Sequence, residues 1–262
     1  MDGVHTATCP EALSPTEWQD RLNVAALCRL MALHRMGDAA NQVVALRCSD
    51  NPAHFITHRL GAFFDDVCAS DLVRCNLEGR DVRTGEPLAF GKIGGINAGT
   101  LNLVVPAFET RPEIACLIHG HAKPIMVVSM LKCGLLPVTQ AAIYILPRLG
   151  TWPYIFDEDE TFRPNFAKAL ATKEVLLAAN HGFYAIGKTP AEAFFLTFYL
   201  AQACDAQAAA MACGEELARI SEEEAAAIWE QMKATSDYHY DGSIEWPGWL
   251  RMVQRLAPDY CT

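Results

Sequence analysis

Several protein classes are excluded by what this chain lacks. Its 21 Lys and Arg are outnumbered by 31 Asp and Glu, giving a formal net charge of −10. The basic residues do not cluster, so a phosphate-backbone partner has nothing to hold it. No stretch reaches 18 consecutive apolar residues, and the opening MDGVHTATCPEALSP has no basic region followed by an apolar core;. Ten cysteines include no CxxC pair and sit singly in apolar context, as in Leu27-Cys28 and Ala115-Cys116-Leu117. That usage reads as reduced packing rather than a disulfide framework. A soluble, cytoplasmic protein without nucleic-acid or membrane partners is expected. Walker and GxGxxG spacings are missing, which removes the common nucleotide-binding loops. There is no repeat, low-complexity linker or sharp change of composition, so a 262-residue chain that is 51% hydrophobic reads as one large domain;.

What is present is an alternation of helical and extended patterns. Residues 1–14 read as a flexible N-terminal arm, 15–220 as the body and 221–262 as a helical tail packing on the body or on a neighbouring subunit. Ser14-Pro15 should cap a helix running through WQDRLNVAALCRLMALHRM and ended by Gly37, with His34 satisfied at its C-terminus;. NQVVALRC and HFITH predict a hairpin, and DLVRCNLEGRDV a further strand pair around Glu78-Gly79. FGKIGGINAG reads as a mobile substrate loop, 101–113 as a helix, and 123–134 as another. The prolines of LLPVTQAAIYILPRLGTWPYIFDEDE predict loop and short strand pieces. VLLAAN and FYAIG are strands, and Thr189-Pro190 opens a long helix. In the tail, SEEEAAAIWEQM predicts a capped helix with a solvated acidic face, and Trp246 and Trp249 its anchors. Cys116 and Cys133 both read as inert thiols in apolar context.

The chemistry concentrates at His119-Gly120-His121, which closes the apolar run Ile114–Ile118. Alternate residues of a strand face one side, so two histidines around a glycine are able to converge on one ion. His181, after the second buried strand, supplies a third imidazole. Three protein ligands with a position left open is the count of a catalytic first-row metal site. Spacing alone leaves a structural HxH equally open.

The segments RPEIACLIHGHAKPI (111–125), GLLPVTQ (134–140), VLLAANHGFYAIGKTPAEAF (175–194) and LAQACDAQ (200–207) resemble the class II aldolase/adducin family. Weaker likeness extends back to Leu22. The resemblance implies a three-layer α/β/α sandwich with a central, mostly antiparallel sheet, and homotetramers with active sites at subunit interfaces. It also implies that His119, His121 and His181 bind a divalent metal, zinc first, with Fe2+, Mn2+ or Co2+ as alternatives.

The departures from the family pattern redirect the chemistry. Sugar-phosphate aldolases of the family carry an acid/base glutamate nineteen residues before the first metal histidine, and this chain has Thr100 there. Their phosphate-binding turns are replaced by Gln42-Val43-Val44-Ala45 and Thr57-His58-Arg59-Leu60-Gly61. Thr100, His58 and Arg59 are therefore read as substrate contacts, Arg59 as the natural partner of a carboxylate. The expected reaction is metal-dependent carbon–carbon cleavage of a small non-phosphorylated oxo- or hydroxy-carboxylic acid, decarboxylation favoured over retro-aldol cleavage. Tyr144, Tyr154 and His239 are the proton-donor candidates, with His58, Tyr238 and Tyr240 behind them. The alternatives are a non-heme iron oxygenase acting on an aromatic or hydroxy acid and a non-catalytic adducin-like assembly module.

Overall fold

The computed structural model describes residues 9–92, 94–155, 160–235 and 237–262. The greater part of the expected N-terminal arm and the FDED segment at 156–159 lie outside them. Seven strands form one sheet: β1 (Val43–Arg47), β2 (His54–Thr57), β3 (Val73–Asn76), β4 (Cys116–Gly120), β5 (Leu149–Trp152), β6 (Val175–Ala178) and β7 (Gly182–Gly187), in the order β3-β2-β1-β4-β7-β6-β5. Every pairing is antiparallel except β5–β6. Among the described residues the α-helices are α1 (Pro15–Leu33), α2 (Thr100–Thr110), α3 (Lys123–Ser129), α4 (Gln140–Ile145), α5 (Phe162–Leu170), α6 (Pro190–Ala212), α7 (Glu222–Thr235) and α8 (Trp246–Leu256). Among the described residues no helix is long and apolar enough to cross a membrane.

Strand alternation builds the three layers. Val44, Leu46, Cys116, Ile118, Phe183 and Ala185 join one apolar cluster with α1, α3, α4, α6 and the tail helices. Their neighbours in sequence, Val43, Ala45, Leu117, Tyr184 and Ile186, point into a second cluster with α2 and α5. A period of two thus separates the two cores. The sandwich with a mostly antiparallel central sheet is the one the family resemblance implied.

The caps follow their chemistry. Ser14 and Thr189 accept from the backbone N–H of Glu17 and Glu192, with Pro15 and Pro190 in the first turns;. Ser221 and Glu224 bond reciprocally at the head of α7;. In that helix Ala225 and Trp229 are buried while the opening glutamates are exposed, and in α8 Trp249 sits edge-on against Phe194 at 4.7 Å.

Five expectations on detail need correction. Helix α1 stops at Leu33 rather than Gly37, because Arg35 itself takes the left-handed position (φ 56°) and Met36 N–H closes onto Met31 O;. The imidazole of His34 packs against Phe194 and Phe198 instead of capping carbonyls. The strand pair around Gly79 reduces to β3 and a single bridge, Cys75 to Asp81, since the Asn76 side chain accepts from Glu78 and Arg80 and curls the chain. The helix expected over 123–134 ends at Ser129, and the stretch after it holds the short strand expected there, β5, but also the unexpected helix α4, which Thr139 caps by accepting from Ala142 N–H. Cys133 is exposed, whereas Cys116 is buried and its thiol is pushed up by desolvation.

Candidate metal centre

Strand β4 runs through the middle of the sheet, so its C-terminal end opens between both flanks. Register places His119 in a row with Val43 on β1 and Tyr184 on β7, all facing the α2/α5 layer. Tyr184 stacks on the His119 ring, 4.4 Å between centroids and 15° between planes. His119 Nδ1 lies 2.7 Å from the Phe183 carbonyl, which only accepts, so Nδ1 carries the proton and Nε2 offers its lone pair;.

His121 lies one residue past the strand. Its Nδ1 is 2.7 Å from Asp38 Oδ2, and its Nε2 is buried without a hydrogen-bond partner. His181 comes from the turn joining β6 to β7. Asn180 there takes φ 56°, which asparagine tolerates, and His181 N–H bonds to Ala178 O;. Gly182 is needed for close approach: a Cβ at that position would meet Gly120 O at 2.3 Å and His121 Cδ2 at 2.9 Å;. The glycine of the NHG segment therefore lets the two histidine segments touch.

The result is a cluster in which one nitrogen from each of His119, His121 and His181 lies within 4.8 Å of the others. Burial pushes the His119 imidazole well below its ordinary value, with His121 as second cause. His181 is lowered by burial and then by His121. Neutral rings at pH 7 have lone pairs to give, and the orphaned Nε2 of His121 is the buried atom a cation would satisfy. The donor set fits a divalent first-row ion.

A cleft of about 260 Å³ lies over these rings, bounded by Asn41, Val43, Asn97, Gly99, Leu103, Tyr154, Ile155 and Tyr184. Tyr154 is the one proton-donor candidate on it; its ring is 5.7 Å from His181 and the residue is 67% exposed. Tyr144 lies across the sheet among Phe195, Tyr199 and Tyr240. His239 is exposed on the loop between α7 and α8. Thr100 is buried at the head of α2, next to Gly99 of the cleft.

His58 and Arg59 line a different cleft, about 780 Å³, where His58 Nδ1 bonds to Arg59 O and Arg59 donates to Gly94 O at 2.7 Å. The glycine-rich loop is tied down by Gly91 N–H to Ile96 O and Ile96 N–H to Ala89 O, and its end brings Asn97 and Gly99 to the metal-side cleft. Asn97 lies in the glycine-rich stretch read as a substrate loop, whereas Asp38, Asn41 and Tyr184 were not foreseen. Of those three, Tyr184 had a signal, the alternation that puts it on the face of His119.

The sequence profile described as Class II Aldolase and Adducin N-terminal domain matches residues 22–208. The chain belongs to the class II aldolase and adducin family. A Caulobacter vibrioides protein named provisionally as a class 2 aldolase is 32% identical over 251 residues, 95% of this chain and 94% of that one. Beta-adducin of Rattus norvegicus is 30% identical over 254 residues, which cover 95% of this chain and 32% of the adducin. A Pseudomonas syringae aldolase II superfamily structure superposes with TM-score 0.84 at 29% identity, over 95% of this chain and 98% of that one. The enzymes of this superfamily are typically metal-dependent lyases.

Proposed function

We propose that the chain is a divalent-metal-dependent carbon–carbon lyase that favours decarboxylation, acting in the cytoplasm on a small non-phosphorylated oxo- or hydroxy-carboxylic acid. The composition of the cleft supports this: three imidazoles beside Asn41, Asn97 and Tyr154, with no carboxylate among the described lining residues. When bound, the cation supplies a Lewis acid that polarises a carbonyl and offsets the negative charge left as a neighbouring carbon–carbon bond breaks. Zinc suits the three imidazoles best, with Fe2+, Mn2+ and Co2+ as substitutes.

The chain's own residues do the rest. Retro-aldol cleavage needs a base for a hydroxyl proton, whereas loss of carbon dioxide does not. The position of the family's glutamate holds only the buried Thr100. In this reading the side-chain amides of Asn41 and Asn97 meet the substrate carboxylate, in place of His58 and Arg59. Val43, Leu103 and Ile155 keep water from the cleft walls, and the Tyr154 phenol beside His181 gives its proton to the carbon that carbon dioxide has left, then regains one from solvent;. The assembly in this reading is a homotetramer with active sites at subunit contacts, as the family resemblance implies.

The test is carbon dioxide release from a panel of small oxo- and hydroxy-acids, before chelation, after it and after zinc is restored. Release that stops on chelation and returns with metal is expected. Release that survives metal stripping contradicts the reading, and oxygen consumption in its place moves the chain to the iron-oxygenase alternative.

A further inference from the structure

We propose that Asp38 is the positioning residue of this centre, setting through His121 how tightly the three imidazoles hold a divalent cation. The inference rests on the metal reading above and assigns a role to a residue outside the ligand set. Three observations carry it.

The first is the bond itself. Asp38 Oδ2 lies 2.7 Å from His121 Nδ1, which commits the ring proton to that side and leaves the buried, partnerless Nε2 as the donor atom;. His119 is held by a neutral carbonyl instead, so His121 is the only one of the three with a charged acceptor among the described contacts. A carboxylate behind an imidazole raises its basicity as a ligand. The second is reach: His181 stacks on His121, 4.7 Å between centroids and 26° between planes, so fixing the His121 ring also fixes the face on which His181 rests.

The third is how the chain presents the carboxylate. Asp38 stands between Arg35 (φ 56°) and Ala39 (φ 43°), two non-glycine residues in left-handed backbone, with Asn41 N–H closing the turn onto Asp38 O. Ala39 has no polar side chain to ease that conformation, and strain of this sort persists where the surroundings require it. The Asp38 side chain is itself 45% exposed, so it is not a buried ion pair holding the fold together;.

The experiment is titration of the metal-free full chain with Co2+, followed by visible absorbance, with Zn2+ competition to give affinities. The wild type is expected to bind one ion per chain. Asp38→Ala should bind the same single ion 10- to 100-fold more weakly, roughly the loss typical of an outer partner of a metal-bound imidazole, with an unchanged melting temperature of the metal-free protein. Asp38→Asn, which keeps an acceptor oxygen but not the charge, should fall between them. Asp38→Ala at wild-type affinity overturns the proposal and leaves the three-histidine centre standing. If Asp38→Ala does not fold, Asp38→Asn at wild-type affinity overturns it equally. A wild type that binds no Co2+ overturns the metal reading itself.

Discussion

Tyr154 and Tyr144 show how much a single residue's place decides. Both are tyrosines in the same proline-broken stretch, yet Tyr154 reaches the cleft, while Tyr144, on the other face of the sheet, accepts a bond from Gln140 of its own helix. Removing the Tyr154 hydroxyl as Tyr154→Phe should lower turnover by about 100-fold, the lower end of what a positioned proton donor contributes, with bound metal unchanged. Turnover equal to wild type would remove Tyr154 from the reaction. Gly182→Ala is expected to act differently. Its methyl would press on Gly120 O and the His121 ring, so the variant should lose metal and melt lower than wild type. A variant with full metal content would show that the two histidine segments need no such approach.

At the scale of elements, the site was legible where chemistry repeats with the period of the structure. HGH follows an apolar strand and NHG follows another, so alternation and turn chemistry brought the imidazoles to the same end of the sheet. Caps were equally readable, and Thr189→Ala should reduce stability by about 1 kcal/mol, seen as a lower urea midpoint. An unchanged midpoint would mean that the first turn of α6 is held by packing alone. The short helix α4 was hidden because Pro137 and Pro147 on either side of it outweighed one threonine cap. Asp38 was hidden for a deeper reason: its partner is 83 positions away, and no local pattern announces a contact made only by the fold. His58 and Arg59 met the opposite problem, since adjacency in sequence to a family motif did not bring them to the cleft of the same chain.

For the whole molecule, buried histidines predict how stability depends on acid. Burial lowers His34, His58 and His119 below the ordinary 6.5. In the metal-free protein the unfolded chain therefore takes up protons below pH 6.5 that the folded chain refuses. Stability present above that value is lost as pH falls toward the lowered folded values, by up to about 1.4 kcal/mol per pH unit for each fully buried group. Urea midpoints should drop between pH 7.5 and 5.5. Midpoints that stay level or rise would show that these imidazoles are free to charge in the fold. The large central sheet and its two apolar layers serve one end of β4, where three rings from distant segments meet.

The most direct measurement is the metal content of purified protein after reconstitution with zinc and removal of excess ion, compared with His181→Ala treated alike. About one ion per chain in the wild type and close to none in the variant is the expected result. Equal content in the two proteins, or none in the wild type, would contradict a centre built from His119, His121 and His181.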